Sequence, residues 1–380
     1  MLSDSEEELI LEKCRSCNSK DLEICTTKKS FPLYIWPLAP EFSTPELNIH
    51  VHLCKDCGYL QLQNIEQDQL EEIYREEAFN VENHNQNIER LSLLTQQNSN
   101  RFINKKVLEI GGGRNCFVSS LSSKTKKWVA DFDVDKSVKD KVDGSFEGDF
   151  TKINTAETNF DFIFMFHVLE HFNNPSAAVL KARDLLRDEG SLIVEVPSFS
   201  YETFFRPHYT FFHMHISLFT EEGLLSFLSR KGFKCKEIYD SGEVLFLEFI
   251  KNDEAVYKNL YEETHSLITE NTKRIEKCSR ELQCIIDSIE SGELAIFGAG
   301  GASTLFLSNY DFLLNNLIYA IDNDENKIGR YLCNGRVEII KPDKIEELNI
   351  KNVIFLEESH IKNLDNEINC INISKIYGSI

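Results

Sequence analysis

Positive charge is scarce in this sequence. The 380 residues carry 41 lysines and arginines against 62 acids, a net charge of −21 at neutral pH. So acidic a surface repels phosphate backbones and anionic headgroups, so no nucleic acid and no membrane is expected as a partner. An anionic substrate would need a local basic pocket. Long apolar runs are missing too. No stretch reaches the ~18 uninterrupted apolar residues of a membrane span; the most apolar, residues 160–169, contains Asp161 and His167. The start, residues 1–8, is acidic rather than basic-then-apolar, so no secretory signal is expected. Proline is thin, and half of the eight (Pro32, Pro37, Pro40 and Pro45) fall in one loop, which argues against long regular elements there. What is present is length enough for two or three domains and a hydrophobic content of 42%, enough for a core. The cysteines number eleven, an odd count with most spread singly through apolar segments, which suggests a reducing, cytoplasmic setting.

The stretch around which the chain is organised is Val107-Leu108-Glu109-Ile110-Gly111-Gly112-Gly113-Arg114-Asn115. It reads as a buried parallel strand ending in a glycine-rich turn, with a helix over 116–121 just after. Glycine lets a ligand lie against bare backbone, and a following helix N-terminus offers unpaired N–H groups. The dinucleotide fingerprint has glycine leading such a turn; here Glu109 stands before Gly111 and Gly113. Residues 128–130 form the next strand. An acid at its tip, ~20 residues past the glycines, is placed to accept both ribose hydroxyls. Asp133 is favoured over Asp131, because Phe132 continues the alternation and Asp133 then ends the strand.

Two pairs, Cys14-x-x-Cys17 and Cys54-x-x-Cys57, lie 36 residues apart around the proline loop. Two such knuckles complete a tetrahedral Zn2+ site. Four thiolates leave no open position, so the site is structural and metal would contribute to folding. Residues 69–101 are helical in pattern. Gly148-Asp149-Phe150 is a further turn, and residues 160–166 an apolar strand followed by His167-Val168-Leu169-Glu170-His171. A helix over 176–187, closed by Gly190, and a strand over 191–196 follow, so strands and helices alternate as in a parallel doubly wound sheet. Residues 201–220 are dense in aromatics and hold His208, His213 and His215. Thr220 is suited to cap a helix over 221–230, and residues 233–239 and 243–250 read as a hairpin. Residues 252–290 are a helical linker, one helix or two, read as a spacer and a candidate surface for homo-oligomer formation. At Leu294 the pattern repeats: strand, then Gly298-Ala299-Gly300-Gly301-Ala302-Ser303, then a helix, then a strand ending in Asp322, 22 residues past Gly300.

Glu-x-Gly-x-Gly resembles motif I of the class I S-adenosylmethionine-dependent methyltransferases, with Asn115 where a third glycine is expected. The resemblance implies that Glu109, Gly111 and Gly113 hold the methionine and ribose part of S-adenosylmethionine. It implies that Asp149 meets the adenine amino group and that His167 lies on the cofactor side of the fourth-strand signature. A cysteine knuckle (1–70), a methyltransferase core (71–251), the helical linker (252–290) and a C-terminal Rossmann-like substrate lobe (291–380) together resemble the sugar C-methyltransferases of deoxysugar biosynthesis. Those act on nucleotide-linked 4-keto sugars. Gly329-Arg330-Tyr331-Leu332 adds to the likeness, and His171 matches a family active-site histidine. The family's Tyr-His-Glu-His aligns with Phe212-His213-Met214-His215, so His213 and His215 remain while Tyr and Glu are gone. The last histidine of that run is the family's base, which makes His215 the first candidate.

Carbon methylation needs a base of near-neutral pKa and donors for the enolate oxygen. Phe212 cannot donate and Met214 cannot relay a proton, whereas O-methylation needs only a base and alignment. The expectation is therefore a methyltransferase acting on a nucleotide-linked sugar, at carbon or at oxygen. An NAD-linked nucleotide-sugar oxidoreductase or epimerase using the turn at Gly298, and a non-catalytic scaffold, are the alternatives.

Overall fold

The computed structural model describes residues 11–40, 42–63, 84–114, 116–254, 256–289, 293–357 and 368–378. The chain falls into two units: Met1–Thr26, His50–Phe199 and Met214–His265 form the first, and Thr27–Ile49, Ser200–His213 and Ser266–Ile380 the second.

Strands β1 (Leu22–Pro32), β2 (Glu46–Cys54) and β3 (Leu60–Leu62) follow the first cysteine pair. The central sheet takes β4 (Lys106–Ile110), β5 (Lys126–Asp131), β6 (Gly144–Glu147), β7 (Phe160–Phe166) and β8 (Leu186–Pro197). After β9 (Ser217–Leu218), which pairs with β3, the hairpin β10 (Phe233–Ser241) and β11 (Val244–Lys251) completes it. The order is β10-β11-β8-β7-β4-β5-β6. The five strands β4 to β8 are parallel, and β11 runs antiparallel to β8. This is an α/β class I methyltransferase Rossmann-like sheet. Strand order reverses between β4 and β7, and ligands of such sheets lie beyond the carboxyl ends at that point. The middle strands are apolar on both faces because both are covered: Leu108, Ile163, Phe164, Met165 and Val194 are fully buried.

Local signals behave as their chemistry requires. Asn174 caps the helix Pro175–Leu185 by accepting from Ala177 N–H, and Thr220 caps Glu221–Ser229 by accepting from Gly223 N–H. Two expectations are corrected. The helix expected over 176–187 stops at Leu185, and β8 starts at once, with Leu186 opposite Phe160 and an irregularity before Ser191. The helix expected over 116–121 is only a 3₁₀ turn, Val118–Ser120. Serine is the reason: Ser119 and Ser120 donate their hydroxyls to the carbonyls of Cys116 and Phe117, competing with helical main-chain bonds. Asn115 and residues 69–83 of the helical stretch at 69–101 lie outside the described residues; the helix His84–Thr95 lies within them.

Glu248 of β11 has no exposed side-chain surface and accepts from Arg101 and the Tyr239 hydroxyl, each at 2.5 Å, and from Lys236 at 2.9 Å. Burial works to raise this carboxyl's pKa, but hydrogen bonds from Ser191, Tyr239, Arg101 and Lys236 prevail and hold it at about 2. The folded pKa lies below the unfolded one, so the stabilisation is present above the ordinary carboxylate range and is lost as pH falls toward 2. Glu248→Gln is expected to cost about 2 kcal/mol at pH 7. The gap to wild type should close between pH 5 and 2 in urea unfolding followed by circular dichroism.

In the second unit, β12 (Leu294–Phe297), β13 (Leu317–Ile321), β14 (Tyr331–Leu332), β15 (Val337–Ile340), β16 (Asn352–Phe355) and β17 (Asn369–Asn372) form a sheet in the order β14-β15-β13-β12-β16-β17. It is parallel except at β14, a Rossmann-like arrangement with β12 at its centre. The linker is a single helix, Tyr261–Ile286, within which the division between units falls. Its apolar stripe is used inside the chain: Cys278, Leu282 and Ile286 pack with Ile296, Phe306 and Leu317 in the second unit's core. Among the described residues no helix is long and apolar enough to cross a membrane.

Candidate functional site

The glycine turn leaves β4 at the switch point. Gly111 has φ +85°, and a Cβ there would stand 2.8 Å from the Val168 side chain. Gly113 lies so close to the tip of β5 that a Cβ would meet the Asp133 carbonyl oxygen at 2.2 Å. Glu109 is buried and turned inward: its carboxylate accepts from Val118 N–H at 2.8 Å and from the Cys116 thiol at 3.3 Å. Burial raises its pKa against those donors. Glu109 thus braces the turn from beneath.

β5 ends at Asp131, not at Asp133 as the alternation suggested. The backbone turns two residues early because the Asp131 carboxylate accepts from Gly113 N–H at 2.7 Å and from Phe132 N–H at 2.6 Å, tying strand tip to turn. Asp133 stands beyond it, more than half exposed, 3.6 Å from Arg114. Asp149 accepts from the Thr151 amide and hydroxyl at 2.9 and 2.7 Å and lies 3.1 Å from Lys152. These contacts lower its pKa against the opposing pull of burial.

Beyond β7 the chain holds a network that the sequence did not disclose. His167 sits at φ +48°, a conformation rare outside glycine and asparagine, and its N–H donates to the Glu195 carbonyl. Its Nε2 is 2.9 Å from the Glu195 carboxylate and its Nδ1 is 3.5 Å from Glu170. Burial would lower this imidazole's pKa, but Glu170 and Glu195 raise it to about 9. Glu195 also receives Arg90 in a forked contact, Nη2 at 2.6 Å and Nε at 3.0 Å. One signal was available: an acid inside the apolar run at 191–196 must be paired. Its partners, on a helix ~100 residues earlier and at the end of another strand, could not be read. Arg90→Ala should cost about 2 kcal/mol in urea unfolding, less than the ~3–5 kcal/mol of a fully orphaned buried pair because His167 stays on Glu195.

Glu170, His171 and His215 come together. His171 Nδ1 is 2.7 Å from the Met214 carbonyl oxygen, its Nε2 is 3.8 Å from Glu170, and its ring meets His215 edge-on with centroids 5.1 Å apart. Glu170 is 1% exposed. Burial would raise its pKa, but the imidazoles of His171, His167 and His215 hold it at about 2. His213 belongs to the second unit, the division falling between His213 and Met214. It is buried, its ring turned toward the Leu33 backbone without a hydrogen bond of normal geometry at either nitrogen, and burial lowers its pKa to about 4. The aligned pair is therefore divided: His215 joins the acid cluster and His213 is a buried neutral ring. Phe212 and Met214 are both buried.

Residues 74–238 match the family model of a methyltransferase domain. Over these residues the chain carries a methyltransferase domain. No curated protein matches the sequence. Solved structures with a similar domain include 1,6-didemethyltoxoflavin-N1-methyltransferase of Burkholderia thailandensis, with bound S-adenosylhomocysteine. It is 14% identical over 44% of this chain and 79% of that one, with a TM-score of 0.35. An S-adenosylmethionine-dependent methyltransferase of Clostridium acetobutylicum ATCC 824 is 10% identical over 43% of this chain and 90% of that one, with a TM-score of 0.35.

In the same unit as this methyltransferase domain, the sulfurs of Cys14, Cys17, Cys54 and Cys57 lie within 4.8 Å of one another, with Cys14 to Cys57 and Cys17 to Cys54 both at 3.6 Å. A tetrahedral ion with Zn–S bonds of ~2.3 Å spaces its sulfurs about 3.8 Å apart, so the cluster fits Zn2+. In the second unit the turn after β12 repeats the wiring of the first: Asp322 accepts from Ala299 N–H at 2.8 Å and pairs with Lys327 at 2.9 Å. Ser303, standing for a third glycine, donates its hydroxyl to the Gly298 carbonyl at 2.5 Å.

Proposed function

We propose that the chain transfers the methyl group of S-adenosylmethionine to a nucleotide-linked sugar, at a hydroxyl oxygen or at the carbon beside a ketone. The observation that carries this is the cluster of Glu170, His171 and His215, in the same unit as the glycine turn and just past the carboxyl end of β7. The order of four-cysteine site, methyltransferase domain and Rossmann-like sheet supports the sugar, through the resemblance to the C-methyltransferases that act on such substrates.

Gly111 and Gly113 would leave room for the cofactor's methionine part. Asp133, exposed past β5, is the acid for the ribose, while Asp131 keeps the turn in place. Asp149 and His167 are the candidates for the adenine and for the cofactor's reactive end. The sulfonium makes the methyl group electrophilic, so the acceptor needs only deprotonation and alignment. The acid at position 214 that the resemblance asks for is absent, and Glu170 supplies a carboxylate beside His215 from another segment. His215 is then the residue nearest the acceptor's proton, and His213, buried and neutral, is a packing residue.

Calorimetric titration with S-adenosylhomocysteine beside NAD tests the first half of this reading. Micromolar binding of the former alone is expected; no binding by zinc-replete, folded protein would move the weight to a scaffold. NAD binding instead would make the turn at Gly298 the working one, although Asp322 is already engaged by Ala299 and Lys327. Radiolabelled methyl transfer onto nucleoside-diphosphate 4-keto sugars and their reduced hydroxyl forms tests the second half and separates carbon from oxygen.

A further inference from the structure

We propose that Glu170, His171 and His215 bind a divalent transition-metal ion whose open positions take oxygen atoms of the acceptor. One ligating atom from each of the three lies within 4.8 Å of the others. Glu170 is 1% exposed, yet neither carboxylate oxygen makes a hydrogen bond. A buried carboxylate is costly unless its charge is met, and His167, 3.5 Å away, is shared with Glu195. The 3.8 Å between Glu170 Oε1 and His171 Nε2 is too long for a hydrogen bond. It lies within the ~4.2 Å that two metal bonds of ~2.1 Å can span.

His171 is set up as a ligand. A carbonyl oxygen only accepts, so Nδ1, 2.7 Å from the Met214 oxygen, carries the proton, and Nε2 has the lone pair on the side of Glu170. Fixing the tautomer through a main-chain carbonyl is what metal-bound histidines ordinarily require. His215 lies edge-on to the His171 ring, 5.1 Å between centroids. The remaining close charge is His167, whose Nδ1 is 3.5 Å from Glu170 and whose other nitrogen is held by Glu195. Two imidazoles and one carboxylate with positions left over suit Mn2+, Fe2+, Co2+ or Zn2+.

Such an ion supplies what Phe212 and the Met214 side chain cannot. It polarises the acceptor oxygen, whether a hydroxyl or a ketone, and lowers the pKa of the proton that must leave. With the ion bound, His215 serves as a ligand rather than as the base, so the proton goes to solvent, the new bond to CH3 forms as the S–CH3 bond breaks, and S-adenosylhomocysteine leaves uncharged; the ion keeps its oxidation state. This chemical role rests on the methyl-transfer reading, whereas the ion site does not.

The test uses full-length protein with zinc on its cysteines, titrated with Co2+. One equivalent should bind with d–d bands and no thiolate charge-transfer band. His215→Ala and Glu170→Gln should each weaken it at least about tenfold, with cysteine zinc and circular dichroism unchanged. Wild-type protein that binds no Co2+ beyond the cysteine site overturns the proposal, whatever becomes of the variants. So does Co2+ binding of equal strength in both variants. S-adenosylhomocysteine affinity, measured alongside, reports separately on the methyltransferase reading.

Discussion

Gly113→Ala is expected to abolish cofactor binding while leaving the protein folded. The added Cβ would stand 2.2 Å from the Asp133 carbonyl oxygen and 2.7 Å from the Asp131 carboxylate, and the nearer atom is main chain, which cannot swing aside. The turn would have to lift from the tip of β5, breaking the 2.7 Å bond from Gly113 N–H to Asp131. Affinity for S-adenosylhomocysteine should fall at least ~100-fold, about 2.7 kcal/mol or more. Asp131→Asn is the milder companion, since an amide oxygen still accepts from Gly113. Calorimetry on both, with thermal melts as a control for folding, separates a displaced turn from a lost fold. Equal affinity in wild type and Gly113→Ala would mean that the ligand does not use this turn.

Cys54→Ser should be the most damaging single change to stability. Cys54 and Cys14 are fully buried and share a core cluster with Tyr59, Phe219 and Phe227 of the first unit. Structural zinc contributes ~10–16 kcal/mol to small domains that fold around it. Losing one of four thiolates forfeits a large part of that and leaves the other sulfurs crowded. The variant should retain less than one zinc per chain and melt well below wild type. A strong chelator should bring wild type to the same state over hours, and added Zn2+ should restore it. Unchanged melting after verified zinc removal would show that the knuckles close without metal.

Elements built from local chemistry were legible in the sequence. The runs at β4, β7, β8 and β12 are apolar and end in glycine, histidine or proline, and each is a strand. Thr220, followed by Glu221 and Glu222, caps a helix as its side-chain oxygen predicts. Spacing alone brought Cys14, Cys17, Cys54 and Cys57 to one point. What failed locally did so through side chains that compete with main chain. Two serine hydroxyls reduced a helix to a 3₁₀ turn, and Asp131 ended its strand by capturing the turn beside it. What could not be read at all was long-range. Arg90 meets Glu195 across 105 positions, and Met214 lends its carbonyl to His171 across 43. Alignment put His215 ahead of His213; the structure separates them further, with His215 beside Glu170 and His213 a buried ring.

The chain changes unit after Thr26, Ile49, Phe199, His213 and His265. Neither unit is therefore a continuous fragment that one cut would release. Residues 266–380 expressed alone would lack residues 27–49 and 200–213, and residues 50–265 alone would carry the second of those inserts without the rest of its unit. The two units are thus not interchangeable cassettes: exchanging either with that of another protein means matching every crossing at once, so the two are bound to be inherited together.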